Sequence, residues 1–134
     1  MSTANADLIR SLYAAFATGD VPGVLGAMSS DIVWIEAENS PYADNNPYRG
    51  PEATAGGVFA RIGAEWDGFA VNVQAIHADG DTVIATGRYT GVFKATGRPL
   101  DAQLVHVWTV KDGKAASFQQ YTDTLQYARV IGAI

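Results

Sequence analysis

The spacing of hydrophobic residues changes along the chain from a helical period to runs of strand length. From Ala6 to Thr18 the apolar residues recur every three or four positions, which predicts a helix with one buried stripe, capped by Asn5 or Asp7. A second short helix is predicted from Val21 to Met28. The chain is therefore expected to begin with a helical hairpin.

A strand with two unlike faces is predicted from Asp31 to Glu38. Side chains at alternate positions point to opposite faces of a strand. One face is then fully apolar, whereas the other carries Trp34 and Glu36 together. This mixture of an aromatic ring and an acid is unusual for a strand that packs on a core.

An irregular loop and a third helix are predicted next. The loop, Asn39 to Pro51, contains three prolines, three asparagines and a glycine, and a loop of this length and composition is typical of a lid or a pocket rim. Pro51 and Glu52 suit a first helical turn, so the helix is predicted to begin there and to run to about Trp66.

The rest of the chain is predicted to form an antiparallel meander. Short turns rich in Gly and Asp separate four apolar segments, and this is the chemistry of tight hairpins. Leu125 to Ile134 is expected to form a helix or a loose segment over a sheet edge or a partner subunit. Helices followed by a meander define an α+β fold with helices against one sheet face. The predicted strands are Phe69–Ala78, Thr82–Phe93, Leu100–Val110 and Ala115–Thr124.

Composition narrows the classes of partner. The chain has 134 residues, of which 48% are hydrophobic, so one domain over residues 1–134 can bury a core without help. The net charge of -5 and the pI of about 4.7 would repel phosphate backbones and anionic lipids, which argues against nucleic acid and membrane partners. The absence of cysteine excludes disulfides and thiol chemistry. Without a basic, apolar leader at its start, the chain is expected to be cytoplasmic.

Five segments that together span nearly the whole chain occur in a distinctive order: LYAAFATGD, DIVWIEAE, YRGPEA, ADGDTVIATGRYTG and HVWTVKDGKAASFQQYTD. In this order and spacing they resemble the ketosteroid isomerase and nuclear transport factor two-like superfamily, and within it the SnoaL-like polyketide cyclase branch. The resemblance implies a cone-shaped, curved antiparallel sheet packed against N-terminal helices, the ketosteroid isomerase/cystatin-like fold. It also implies one pocket for a small apolar ligand and a homodimer.

The superfamily does not imply one activity, because its members act as isomerases, cyclases, dehydratases, epoxide hydrolases or binding modules. Function must therefore come from the site. The resemblance places the catalytic base of a ketosteroid isomerase on Glu36 and its oxyanion-binding aspartic acid on His106. Glu36 is then a proton shuttle or a rim glutamate, and His106 is a hydrogen-bond donor to an enolate or a satisfied core histidine.

Two further positions depart from the isomerase pattern. The oxyanion-binding tyrosine falls on Leu12, and Tyr13 is one residue away, about a quarter-turn around the helix. The oxyanion-binding tyrosine of the known isomerase mechanism is therefore missing unless another tyrosine substitutes. Asp123 is a third catalytic candidate, since SnoaL-like cyclases use a pocket aspartate, but it also suits a cap for the C-terminal segment. Which face of the last strand lines the pocket stays open.

The aromatic residues are candidates for a pocket lining, although they also suit a core. Arg88 either pairs with an acid inside the cone or lies outside. The two histidines and scattered acids show no metal-ligand spacing, so neither a metal nor a cofactor is expected. The predicted lining residues are Tyr13, Trp34, Phe59, Trp66, Trp108 and Tyr121.

Two hypotheses of different class follow. In the first, the protein is an enzyme that moves a proton on a hydrophobic carbonyl compound, as an isomerase, cyclase or dehydratase does, with Glu36 as the base and His106 as donor or acid. In the second, it is a binding module that keeps the pocket without catalysis. Glu36 and His106 pointing into one closed cavity, within reach of a common ligand atom, would favour the first hypothesis. Either side chain pointing to solvent would rule it out.

Overall fold

Helices cover one face of a curved six-stranded sheet in the computed structural model, which describes residues 3–134. The predicted α+β class is confirmed. In chain order the elements are α1 Ala4–Ala17, α2 Val21–Gly26, β1 Met28–Ile35, a 3₁₀ turn Ala43–Asn45, β2 Tyr48–Arg49, α3 Pro51–Thr54, a π-helical turn Ala55–Phe59, α4 Ala60–Glu65, β3 Trp66–Asp79, β4 Thr82–Phe93, β5 Pro99–Lys111, β6 Lys114–Thr122 and α5 Thr124–Ile131.

The strands lie in the order β2-β1-β6-β5-β4-β3. Strands β3 to β6 form the predicted antiparallel meander. The prediction of a wholly antiparallel sheet is wrong, however, because β1 and β6 run parallel, with Trp34 opposite Phe118. The chain leaves β1 for the far edge of the sheet and meanders back, so its last strand arrives beside the first one in the same direction.

The turn between β5 and β6 shows why the meander could be predicted. Asp112 and Gly113 have φ angles of 52° and 73°. A two-residue hairpin turn of type I′ requires positive φ at both central positions, and Asp-Gly adopts this conformation readily. The sequence Lys-Asp-Gly-Lys therefore fixes this hairpin locally.

The third predicted helix is interrupted by the π-helical turn. A Cβ atom at Gly57, in this turn, would lie 2.2 Å from the ring of Tyr48. Glycine therefore lets the buried Tyr48 ring lie directly against the helix backbone. This contact joins the helical segment 51–65 to β2, and so to the edge of the sheet beside the loop 36–47.

The core lies between the helices and the inner face of the sheet. Ile9 and Leu12 of α1 belong to a buried cluster that includes Trp108 on β5. A second cluster joins α5, through Tyr127 and Val130, to the other end of the sheet. The two clusters leave space between them, where polar side chains enter.

The outer face of the sheet is more polar. Arg88 lies there, half-exposed, and its guanidinium pairs with the carboxylate of Asp101 on β5. Whether this face mediates a homodimer stays a prediction. Within residues 3–134, no helix combines the length and the apolar character needed to cross a membrane.

Candidate functional site

A cavity of about 40 Å³ lies between α1, the helical segment 51–65, α5 and the inner face of the sheet. A space of this size holds roughly three water molecules. Most of its wall is aromatic or aliphatic, and the buried polar side chains of Glu36, His106 and Gln120 reach it. The lining residues are Leu12, Tyr13, Phe16, Trp34, Glu36, Ser40, Tyr42, Val58, Phe59, Ile62, Phe69, Val71, Tyr89, His106, Trp108, Phe118, Gln120 and Tyr127.

Glu36 presents a buried carboxyl group to this cavity. It follows the last residue of β1, and the residue is 2% exposed. The indole Nε1 of Trp34 donates to its Oε2 at 2.9 Å. The side chain of Asn46 fixes the backbone on both sides, since Glu36 N donates to Asn46 Oδ1 at 3.0 Å and Asn46 Nδ2 donates to Glu36 O at 2.8 Å. The carboxyl group is therefore held firmly at the end of the strand.

Burial raises the pKa of Glu36 from 4.5 to about 7, because the apolar surroundings disfavour the charged form. The hydrogen bond from Trp34 and the more distant charge of Arg61 act in the opposite direction but do not outweigh burial. A carboxyl group with such a pKa exists in both protonation states near neutral pH. It can therefore accept a proton from a ligand and return it.

His106 lies on the inner face of β5 with a tyrosine hydroxyl at each ring nitrogen. Its Nδ1 is 2.7 Å from Tyr13 Oη, and its Nε2 is 2.5 Å from Tyr89 Oη. Burial lowers the pKa of His106 to about 3. The imidazole is therefore neutral near pH 7, and it carries a single N–H.

The two tyrosine hydroxyls receive hydrogen bonds from further side chains. Trp108 Nε1 donates to Tyr13 Oη at 2.9 Å, and Gln120 Nε2 donates to Tyr89 Oη at 2.8 Å. Burial raises the pKa of both hydroxyls above the usual tyrosine value, so both carry their protons. We call the group formed by Tyr13, His106 and Tyr89 the Tyr-His-Tyr cluster.

Tyr42 connects the loop after β1 to α4 beside the cavity. Its hydroxyl donates to Glu65 Oε1 at 2.5 Å and accepts from Trp66 Nε1 at 2.9 Å. The guanidinium of Arg61 lies 4.8 Å from the centre of its ring and pairs with Asp44 at 2.8 Å. Several contacts therefore hold the predicted lid or rim, the loop Asn39 to Pro51, against the helical segment 51–65 and Trp66.

Most of the sequence-predicted site residues meet at this cavity. Glu36 and His106 both line it, as do the predicted lining residues Tyr13, Trp34, Phe59 and Trp108. Tyr13 reaches the cluster although the isomerase pattern places its tyrosine one position earlier. Trp34 and Glu36, which alternation placed on one strand face, both line the cavity.

Three predicted residues require correction. Tyr121 is 56% exposed, because Phe118 and Gln120 point inward from β6 and the next side chain must point outward. Trp66 is buried among the side chains of the second cluster and does not line the cavity. Asp123 is the N-cap of α5, where its Oδ1 accepts from Gln126 N at 3.1 Å, as the alternative interpretation proposed.

Sequence reasoning missed Tyr89 and did not assign Gln120. Alternation along β4 could have found Tyr89, since Val83, Ala85 and Tyr89 are all buried on the inner face. No local pattern distinguishes the two faces of β6. Within residues 3–134, no group of three or more His, Cys, Asp or Glu side chains is placed to hold a metal ion.

Comparison with known proteins identifies the family. Residues 9–118 match the SnoaL-like domain. This chain belongs to the SnoaL-like domain family. The predicted resemblance is therefore confirmed. No curated protein matches the chain at a significant level.

Solved structures of SnoaL-like and related proteins share the fold. An NTF2-like protein from Burkholderia thailandensis is 36% identical, with a TM-score of 0.91 and 98% of each chain covered. An NTF2-like protein of unknown function from Burkholderia pseudomallei is 26% identical, with a TM-score of 0.87 and 98% of each chain covered. TerC, co-crystallised with polyporic acid, is 25% identical, with a TM-score of 0.86, 96% of this chain and 98% of that chain covered.

Proposed function

We propose that this SnoaL-like protein transfers a proton to or from carbon in a small carbonyl compound, with Glu36 as the base. The observation that carries the proposal is the buried carboxyl group of Glu36 in the same apolar cavity as the Tyr-His-Tyr cluster. An isomerase, cyclase or dehydratase would each use such a step. No cofactor is needed for this chemistry.

The proposed chemistry uses Glu36 and the Tyr-His-Tyr cluster, which line the same cavity. Ionised Glu36 removes a proton from the carbon next to a carbonyl group, and the electron pair moves to the carbonyl oxygen as an enolate. A hydroxyl of the Tyr-His-Tyr cluster donates a hydrogen bond to that oxygen, whose negative charge grows during the step. Protonated Glu36 then returns the proton to the same or another carbon, so that charge and atoms balance.

The size of the cavity restricts the ligand. About 40 Å³ accommodates a molecule of only a few heavy atoms without movement of the walls. TerC, with a similar fold, was co-crystallised with polyporic acid. A larger ligand of this protein would have to displace aromatic side chains such as Phe59 or open the loop that Tyr42 holds.

A second candidate function is ligand binding without catalysis. Within the part of the chain that the structure describes, no buried polar side-chain atom lacks a hydrogen-bond partner. Paired polar atoms of this kind are also found in a structural core or a passive pocket. The two candidates differ in one property, namely whether Glu36 exchanges protons with carbon.

The test is deuterium exchange of acetone in D2O, followed by proton NMR. Acetone has four heavy atoms, offers a carbonyl oxygen and exchanges slowly without a catalyst near neutral pH. The wild-type protein should accelerate loss of the methyl proton signal in proportion to protein concentration. Glu36→Gln should remove at least about 99% of that acceleration, since removing a general base costs roughly 10²-fold or more.

Glu38→Gln is the matched control, because Glu38 is an exposed acid two residues along the same segment. This variant should exchange acetone at the wild-type rate. Equal rates for Glu36→Gln and the wild type would refute the catalytic proposal. Acetone binding with no exchange would leave the binding module as the function.

A further inference from the structure

We propose that His106 is a positioning residue that determines which tyrosine can donate to a ligand. Its neutral ring accepts a hydrogen bond from the hydroxyl of one neighbouring tyrosine and donates its N–H to the other. The hydroxyl proton of that second tyrosine, Tyr13 or Tyr89, is left for a ligand oxygen. The ligand class is then a molecule that presents a hydrogen-bond acceptor and no donor to this end of the cavity. The inference deepens the proposed function and rests on it only in taking the cavity as the ligand site.

The first step concerns the outer hydrogen bond of each tyrosine. An indole N–H is only a donor, so Trp108 fixes Tyr13 Oη as an acceptor. Gln120 is oriented by the backbone, because Ala37 N donates to its Oε1 at 3.0 Å. Its NH₂ group must therefore face Tyr89 Oη, which accepts at 2.8 Å. The hydrogen bonds from Trp108 and Gln120 therefore use no hydroxyl proton of Tyr13 or Tyr89.

The second step is a count of protons. Two neutral tyrosines and one neutral histidine bring three protons to the cluster, while the two contacts to the ring use one proton each. One hydroxyl proton is left over. It belongs to the tyrosine that accepts the imidazole N–H, since the other tyrosine donates to the unprotonated ring nitrogen.

The third step places the remaining proton. Tyr13 and Tyr89 both line the cavity, and within residues 3–134 their hydroxyl contacts are the ones described above. The free O–H is therefore available to the cavity, where a carbonyl oxygen or an enolate would accept it. Movement of the ring proton between Nδ1 and Nε2 exchanges the roles of the two tyrosines.

Removal of one tyrosine should fix the tautomer. A buried N–H without an acceptor is rarer and more costly than an unpaired lone pair. Tyr13→Phe should therefore place the ring proton on Nε2, facing Tyr89, and Tyr89→Phe should place it on Nδ1, facing Tyr13. Each variant then keeps one free hydroxyl, that of the remaining tyrosine.

Long-range proton–nitrogen NMR of ¹⁵N-histidine-labelled protein reads the tautomer directly. The chain has two histidines, and the signals of His106 are assigned by their loss in His106→Gln. Tyr127→Phe is the control, since Tyr127 also lines the cavity while both ring nitrogens of His106 contact other tyrosines. It should leave the His106 signals as in the wild type.

Opposite tautomers in Tyr13→Phe and Tyr89→Phe are the expected result. The same tautomer in both variants, or a ring protonated at both nitrogens at pH 7, would overturn the inference. Because the NMR readout needs no turnover, it can succeed or fail independently of the exchange assay on Glu36.

Discussion

Replacement of Glu36 by glutamine should make the protein more resistant to unfolding at alkaline pH than the wild type is. Folding raises the pKa of this carboxyl from 4.5 to about 7 because it becomes buried. Below pH 4.5 the group is protonated in both states, so its contribution to stability is fully present. As the pH rises towards 7, the unfolded chain ionises while the folded protein keeps the proton, and this stability is lost.

The magnitude follows from this pH window. Each pH unit between 4.5 and about 7 lowers the free energy of unfolding by about 1.4 kcal/mol through this group, which amounts to about 3 kcal/mol. Glutamine cannot ionise and keeps a similar shape. The free energy of unfolding of Glu36→Gln relative to the wild type should therefore rise by about 3 kcal/mol between pH 4.5 and pH 8.

Urea unfolding at several pH values, followed by tryptophan fluorescence, measures this difference. Other titrating groups, including His106, are shared by the two proteins and largely cancel. Glu38→Gln, which changes an exposed acid, should reproduce the wild-type pH dependence. If the stability difference between Glu36→Gln and the wild type does not change with pH, the reasoning about the buried carboxyl is wrong.

Three further changes test the surroundings of the site. His106→Gln removes a ring whose pKa is lowered to about 3 by burial, so the variant keeps the stability that the wild type loses below pH 6.5. The stability deficit of the variant against the wild type in urea unfolding should therefore shrink by about 2 kcal/mol between pH 6.5 and 4.5. A constant deficit would contradict a buried neutral ring. Trp34→Phe removes the hydrogen-bond donor that favours ionised Glu36, so the pKa of Glu36 should rise above about 7. A carbon-13 NMR titration of the carboxyl group measures this pKa. An unchanged midpoint would show that the hydrogen bond does not affect the ionisation of Glu36. Gly57→Ala places a methyl group 2.2 Å from the Tyr48 ring and should destabilise the protein by about 1–3 kcal/mol in thermal unfolding. The control Gly56→Ala, where a Cβ meets nothing within 4 Å, should not destabilise it.

The strands and turns of the meander could be predicted because their signals are local. Thr82–Phe93 has the predicted bounds, since Gly-containing turns lie on both sides of this segment. The parallel pairing of β1 with β6 could not be predicted in this way. It depends on where the meander returns across the whole sheet, and no short stretch of sequence encodes that.

Part of the candidate site could also be predicted, because some of its signals are local in sequence. Alternation along β1 placed Trp34 and Glu36 on one face, and the structure brings both to the cavity. The orientation of β6 was open because Gln119, Gln120, Tyr121 and Thr122 show no alternation in polarity. The role of Tyr13 depends on its contact with His106, 93 positions away in sequence, and such a contact appears only in the fold.

The pH dependence of acetone deuterium exchange tests proton transfer by Glu36 most directly. If ionised Glu36 is the base, the exchange rate catalysed by the wild type should rise with increasing pH through a single ionisation with a midpoint near 7, the pKa of the buried carboxyl. Glu36→Gln should show no such rise at any pH between 5 and 9. A catalysed rate that does not vary over this range, or one that Glu36→Gln retains, would contradict the assignment of Glu36 as the base.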